Sequence, residues 1–272
     1  MKNSVKNKSI KPFLKWAGGK RWLVANHKNL FPESYERYIE PFLGSGAVFF
    51  HLSPTKGILG DSNKELIKTY KGIRKNWKLV YKYLSEHQEN HSKDYYYEIR
   101  KWDPSSLEAK AARLIYLNRT CWNGLYRVNK QGQFNVPIGT RQSVIFEDDN
   151  FEDISKLLQN AELIPGDFEL VINKSTKGDF LFVDPPYTVR HNHNGFIKYN
   201  EKLFSWTDQE RLFEALIQAK KRGAKIVSTN ANHQNIIELY QGEFELKVVS
   251  RTSSISSKSA TRKKFEELII LT

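Results

Sequence analysis

Apolar positions along this chain follow two rhythms, one of strands and one of helices. Between residues 35 and 61 the chain reads strand, glycine loop, helix, strand. Tyr38-Ile39-Glu40 leads into Pro41-Phe42-Leu43-Gly44-Ser45-Gly46, a short helix runs from Ala47 to about Leu52, and Gly57-Ile58-Leu59-Gly60 ends on Asp61. That order predicts a βαβ unit. Leu66, Tyr70, Ile73, Trp77, Val80 and Leu84 then repeat at alternating spacings of four and three, one face of an amphipathic helix. A second helix is predicted over residues 107–118. A β-hairpin follows, with arms 125–128 and 133–136 around Asn129-Lys130-Gln131-Gly132. After about residue 160 the α/β rhythm resumes. Phe180-Leu181-Phe182-Val183 is a continuous apolar run of the kind a buried strand carries, and it stops at Asp184-Pro185-Pro186-Tyr187. Thr207-Asp208-Gln209-Glu210 reads as a capping box opening a helix over 211–222 that Gly223 ends, with strands at 225–228, 244–249 and 267–271. The pattern predicts an α/β parallel-sheet domain, residues 1–64 and 161–272, interrupted by a mostly helical insert, 65–160.

Composition sharpens this picture. The 272 residues are 39% hydrophobic and 13% aromatic, enough for a full core. Lys and Arg outnumber Asp and Glu by 43 to 30, a formal charge of +13 that points to a polyanionic partner. No run of about 18 apolar residues exists to span a membrane, and the basic start MKNSVKNKSIK lacks the apolar stretch of a signal peptide. One cysteine, Cys121, excludes an internal disulfide framework and reads as a small filler residue; the expected compartment is the cytosol. His191 and His193 lack further spaced His or Cys partners, so a metal is not expected. The basic tail 1–11 is a candidate contact to phosphates, or simply solvated chain, and the Ser-, Lys- and Arg-rich stretch 253–264 reads as a second DNA-contacting loop or as a flexible hairpin between the last two strands.

Asp184-Pro185-Pro186-Tyr187 carries the strongest chemical signal. Proline has a fixed φ and no N–H, and the residue before it is extended. Such a turn at a strand end presents acceptors, the Asp184 carboxylate and the Pro185 carbonyl, with few backbone donors beside them. An exocyclic amino group needs that arrangement. Its lone pair is delocalised into the base ring, and two acceptors holding its hydrogens favour a pyramidal, nucleophilic nitrogen. Tyr187 offers a face on which an extruded base can stack. The glycine loop at Gly44 and Gly46 lets the backbone approach a ligand, but the third position of a dinucleotide fingerprint is Phe49, which argues against pyrophosphate. Asp61, ending the next strand, suits a pair of ribose hydroxyls; its bland alternative is a helix N-cap, with Ser62 and Asn63 as rivals.

Three segments taken in order, Lys15-Trp16-Ala17-Gly18-Gly19-Lys20, Glu40-Pro41-Phe42-x-Gly44-x-Gly46 and Asp184-Pro185-Pro186-Tyr187, resemble Dam-type DNA adenine-N6 methyltransferases of the D12 class, α group. Leu117-Asn118-Arg119, Asn123-Gly124-Leu125, Arg127, Phe134-Asn135-Val136-Pro137 and Thr261-Arg262-Lys263-Lys264 extend the likeness over essentially the whole chain. The resemblance implies a Rossmann-like methyltransferase sheet with an inserted, mostly helical DNA-recognition subdomain. It implies S-adenosyl-L-methionine as donor, S-adenosyl-L-homocysteine as product, and no metal, since a sulfonium is already activated. Trp16, Ala17, Lys20, Glu40, Phe42, Gly44, Gly46, Asp61 and Asp184 would bind the donor, Phe42 flanking its adenine. Asp184, Pro185, Pro186 and Tyr187 would hold the target base. Lys15, Arg119, Trp122, Asn123, Leu125, Arg127, Asn135, Pro137 and Arg141 would contact double-stranded DNA, with Trp122 in a place where Tyr or Phe is common, and GATC as the expected target, reached by base flipping. Thr140 replaces a basic residue seen in some relatives, with Arg141 one step later. The implied setting is a bacterial or phage-encoded cytoplasmic enzyme, a monomer or weak dimer, with a cognate restriction endonuclease as a partner where the system has one. A nicotinamide oxidoreductase would use the same βαβ unit but not the Asp-Pro-Pro-Tyr turn. A pure DNA-binding module would explain the charge alone. Related enzymes acting on cytosine N4, RNA adenine or protein glutamine often carry Asn at the place of Asp184.

Overall fold

The computed structural model describes residues 10–129, 131–187, 204–252 and 264–272. By its contacts the chain divides into two compact units. One comprises residues 1–25, 44–55 and 63–165, the other residues 26–43, 56–62 and 166–272. The division expected from the sequence, 65–160 for recognition and 1–64 with 161–272 for chemistry, is one of task rather than of compactness.

The first unit is helical: α1 (Arg21–Asn26, its last residue lying just across the boundary), α2 (Ala47–Leu52), α3 (Lys64–Glu89), α4 (Lys93–Lys101), α5 (Leu107–Thr120) and α6 (Phe151–Leu158). Asn63 caps α3, its side chain accepting from the N–H groups of Glu65 and Leu66 at 3.1 Å. Leu66, Tyr70, Ile73, Val80 and Leu84 are fully buried, as their spacing predicts, and α3 packs along α5 and α6. The stripe is not one straight helix, because Asn76 leaves helical geometry at φ −157° and kinks it. Ser92 and Ser106 cap α4 and α5. The expected hairpin after α5 is a turn without a ladder. Its antiparallel pairing is one bridge, Val128 with Phe134, beside the bonds Asn129 N to Gln133 O (2.8 Å) and Asn135 N to Arg127 O (3.2 Å). The Asn129 side chain takes the N–H groups of Gln131 and Gln133, and Pro137 has no N–H to extend the pairing. Lys130 lies outside the described residues.

Among the described residues there are seven strands. β3 (Ala161–Pro165) closes the first unit, and the other six belong to the second. These are β1 (Tyr38–Glu40), β2 (Gly57–Asp61), β4 (Phe180–Val183), β5 (Lys225–Ala231), β6 (Glu245–Thr252) and β7 (Lys264–Leu271), and they run in the order β2-β1-β4-β5-β7-β6. The first four are parallel; β7 runs antiparallel to both β5 and β6. Tyr38, Ile39, Phe180, Leu181, Phe182 and Val183 are almost wholly buried, which is why β1 and β4 read as apolar runs rather than alternating ones. Among the described residues three α-helices accompany the sheet: α7 (Phe168–Ile172), α8 (Trp206–Lys221) and α9 (Gln234–Tyr240). The α8 capping box is real but sits two residues earlier than the sequence suggested. Ser205 Oγ accepts from Asp208 N–H, Asp208 accepts from Ser205 N–H, and Glu210 is used instead by the Trp206 indole N–H at 2.8 Å. No helix among the described residues is long and apolar enough to cross a membrane. The basic tail 2–9, the His191–His193 stretch and residues 253–263 lie outside the described residues.

In the first unit His87 is buried and its Nδ1 lies 2.8 Å from the Tyr95 hydroxyl. Burial pulls its pKa from 6.5 down to about 4. The folded ring therefore stays neutral where the unfolded one takes a proton, so its contribution is whole above pH 6.5 and is lost as pH falls toward 4. Urea unfolding across that range should show wild type losing up to about 3 kcal/mol more than His87→Phe. Superimposable pH profiles would contradict it.

Candidate functional site

Parallel strands leave their carboxyl ends on one edge, and in the second unit that edge carries acids. β1 ends at Glu40, β2 at Asp61, and Asp184 follows β4 directly. β1 lies between β2 and β4, so the chain leaves β1 toward one side and β4 toward the other. A crevice at such a reversal is where open α/β sheets take ligands. Each acid is held. Glu40 is buried and accepts from the Tyr38 hydroxyl at 2.9 Å; burial, then the nearby Glu40 charge, pushes the Tyr38 pKa well above 10, so the phenol stays a donor. Asp184 accepts from the Thr229 hydroxyl at 2.6 Å. The Asp61 carbonyl accepts from Gly166 N–H at 3.0 Å, and the capping of α3 falls to Asn63, which removes the bland reading of Asp61. Pro185 is buried, while Asp184, Pro186 and Tyr187 are half-buried. The Tyr187 hydroxyl donates to Glu267 at 2.7 Å. Phe42, half-buried, stacks on Phe168 with ring centroids 5.4 Å apart and meets the edge of Phe204 at 5.6 Å.

The first unit holds the remaining donor-site candidates. Trp16 stacks on Tyr126 at 5.2 Å, and Gly44 passes so close beneath the indole that a Cβ there would sit 2.9 Å from Trp16 Cδ1. With φ of +49°, Gly44 is glycine for two reasons. Gly46 precedes α2, Ala17 is exposed, and Lys20 is buried with its ammonium donating to the Gly18 carbonyl at 2.9 Å.

The DNA-contact candidates of this unit lie largely on one exposed loop system pinned from beneath. Asn118 clamps the chain, accepting Lys15 N–H and donating to the Lys15 carbonyl, each at 2.9 Å, and donating also to the Gly124 carbonyl. A Cβ on Gly124, at φ +64°, would collide with the Lys15 side chain. Asn123 adopts φ +56°, and its neighbours Trp122 and Leu125 stand 55% and 40% exposed, large apolar groups that water alone does not favour. Pro137 joins them, its carbonyl accepting Trp122 N–H at 2.9 Å, and Arg127 donates to Asn135 at 2.9 Å. Lys15 and Arg141 are exposed and line a groove of about 710 Å³ with Lys11 and Arg21. Partial burial and the Arg141 charge hold the Lys15 ammonium below its usual pKa. Cys121 is buried, its thiol pushed up to about 11 by desolvation, in keeping with a filler.

Arg119 departs from expectation. It is 2% exposed, its guanidinium grips both oxygens of Asp149 and donates to the carbonyls of Phe13 and Val144. With its N–H groups spent inside, it braces the fold rather than facing DNA. The sequence reading also missed Thr229, Glu267, Tyr126 and Phe168. Glu267 alone left a trace, a carboxylate beside the apolar run Leu268-Ile269-Ile270; the others become visible only when strands and loops are paired.

Sheet order and the turn beyond β4 define a Rossmann-like methyltransferase fold. Residues 16–255 match the family model described as D12 class N6 adenine-specific DNA methyltransferase. The chain is 37% identical to a type II methyltransferase, M1.LlaDCHI, of Lactococcus lactis subsp. cremoris, over 97% of this chain and 96% of that one. It is 36% identical to the type II methyltransferase M.MjaIII of Methanocaldococcus jannaschii (96% and 99%) and 32% identical to a DNA adenine methylase of Vibrio cholerae (97% and 96%). The chain belongs to the D12 class of N6 adenine-specific DNA methyltransferases.

Arg119→Ala should lower the unfolding free energy by about 3–5 kcal/mol, because Asp149 is left buried and unpaired. The exposed Arg127→Ala should stay within about 0.5 kcal/mol of wild type. Urea titration of both variants checks this, and comparable small losses would contradict the bracing role of Arg119.

Proposed function

We propose that the chain transfers the methyl group of S-adenosyl-L-methionine to adenine N6 in duplex DNA, at GATC, with the adenine turned out of the helix. The observation that carries this reading is the Asp184-Pro185-Pro186-Tyr187 turn at the carboxyl end of β4, its carboxylate oriented by Thr229 and its tyrosine by Glu267. Asp184 and the Pro185 carbonyl accept the two amino hydrogens and draw the nitrogen out of conjugation with the ring. Tyr187 stacks on the extruded base, whose unpairing costs roughly a few kcal/mol. Orientation supplies much of the acceleration.

The residues present suit the donor. Phe42, stacked on Phe168, offers an aromatic edge and face to an adenine ring, and Asp61 stands at the end of β2 where ribose hydroxyls are accepted. Trp16, Ala17, Lys20, Glu40, Phe42, Gly44, Gly46, Asp61 and Asp184 are the residues assigned to hold it. When bound, the donor supplies a sulfonium methyl that is already electrophilic. Lys15, Trp122, Asn123, Leu125, Arg127, Asn135, Pro137 and Arg141 are assigned to DNA. Arg127 suits a guanine edge, and the exposed Trp122 is large enough to fill the gap an extruded base leaves. The surplus of basic residues gives a sequence-independent, salt-sensitive share of the affinity. The setting we assign is the cytoplasm of a bacterium or of a phage host, where the chain acts as a monomer or weak dimer. A cognate endonuclease is its partner where the system includes one.

Labelled methyl transfer to unmethylated duplexes with and without GATC tests the reading. The expected result is label in the GATC duplex alone, recovered as N6-methyladenine. Label in GATC-free duplexes would overturn the target assignment, and label in RNA or protein with none in DNA would overturn the reading as a whole.

A further inference from the structure

We propose that Thr229 on β5 and Glu267 on β7 are positioning residues for methyl transfer, the first orienting the Asp184 carboxylate and the second anchoring the hydroxyl end of the Tyr187 side chain; this rests on the function proposed above. The placement follows from the sheet. β4 and β5 are parallel and in register, Val183 beside Ser228. One step further the chain leaves β4, and Asp184 meets Thr229, which continues β5. β7 runs back antiparallel to β5, pairing Ala231 with Glu267, so the acid stands at the same carboxyl end.

Both positions are unusual for their residue types. Thr229 is fully buried and Glu267 is 5% exposed, in a strand whose next residues are Leu268, Ile269 and Ile270. A carboxylate in such a place is costly unless it is used, and here it takes the Tyr187 hydroxyl at 2.7 Å. Burial, with Asp184 and Glu267 adding to it, pushes the Tyr187 pKa well above 10, so the phenol keeps its proton and remains the donor. Asp184 follows a strand and precedes two prolines, so its backbone is fixed while its side-chain torsion is not. The 2.6 Å bond from Thr229 restrains that torsion. Neither residue touches the reacting atoms: each acts through a neighbour that does.

The test is single-turnover methyl transfer to a GATC duplex, beside the dissociation constants for donor and DNA and the thermal midpoint. Thr229→Val should slow transfer by about tenfold to a hundredfold at saturating donor, with the dissociation constant for DNA and the midpoint near wild type, and Thr229→Ser should restore the rate. Should the valine variant not fold, Thr229→Ala makes the same deletion in less volume and is judged alike. Glu267→Gln, which keeps an acceptor, should stay close to wild type, while Glu267→Leu should lose at least about tenfold. A Thr229→Val rate within twofold of wild type, a loss that follows the midpoint and is not relieved by serine, or equal rates for the Gln and Leu variants would overturn the proposal. Absence of transfer by the wild-type chain would instead sink the function on which it rests.

Discussion

A carboxylate at the end of a buried strand must be given a fixed direction, and in this protein the 2.6 Å bond from Thr229 to Asp184 provides it. The surrounding architecture of the second unit serves that one placement. β4 is buried at every position, so its end cannot drift, and two prolines follow to stop the backbone from turning donors toward the acid. β5 carries the threonine in register, and β7, by running backwards, returns a second acid to the same edge for Tyr187. The sheet order places this turn on one side of the reversal between β1 and β4, with Glu40 and its tyrosine partner on the other.

The first unit answers a different constraint. A loop that presents Trp122 and Leu125 to water gains nothing from burial and must be held from below. Asn118 does this by hydrogen-bonding three backbone groups, two of Lys15 and one of Gly124, while Arg119 locks the next turn of chain through Asp149. Two adjacent residues of α5 are therefore spent on rigidity, and the exposed residues just beyond the helix, which we propose contact DNA, are held by them. Buried polar groups of this kind are strong where every donor is matched, as they are for the Arg119 guanidinium.

What the sequence made legible is what depends on neighbours along the chain. The βαβ unit, the α3 stripe, the apolar run of β4 and the turn after it all announce themselves in local order, and the motifs in their succession identify the family. The parts that were misread depend on distance. Arg119 sits in a segment resembling DNA-contacting chain, but its partner Asp149 is 30 residues away and nothing local foretells the pairing. Thr229 looks like an ordinary strand residue until β4 lies beside it. The hairpin arms have strand-like composition, yet Asn129 supplies side-chain bonds that replace the ladder, and α4 was overlooked because its run of three tyrosines blurs the helical period.

The proposed transfer depends on Asp184 as the acceptor that frees the amino lone pair, and the most direct measurement is the single-turnover rate of Asp184→Ala at saturating donor and DNA. Removal of a preorganised acceptor at the reacting atom predicts a fall of at least about a hundredfold, with the far-ultraviolet spectrum of the folded chain retained. A folded Asp184→Ala protein that transfers methyl at a near-wild-type rate would contradict the account at its centre.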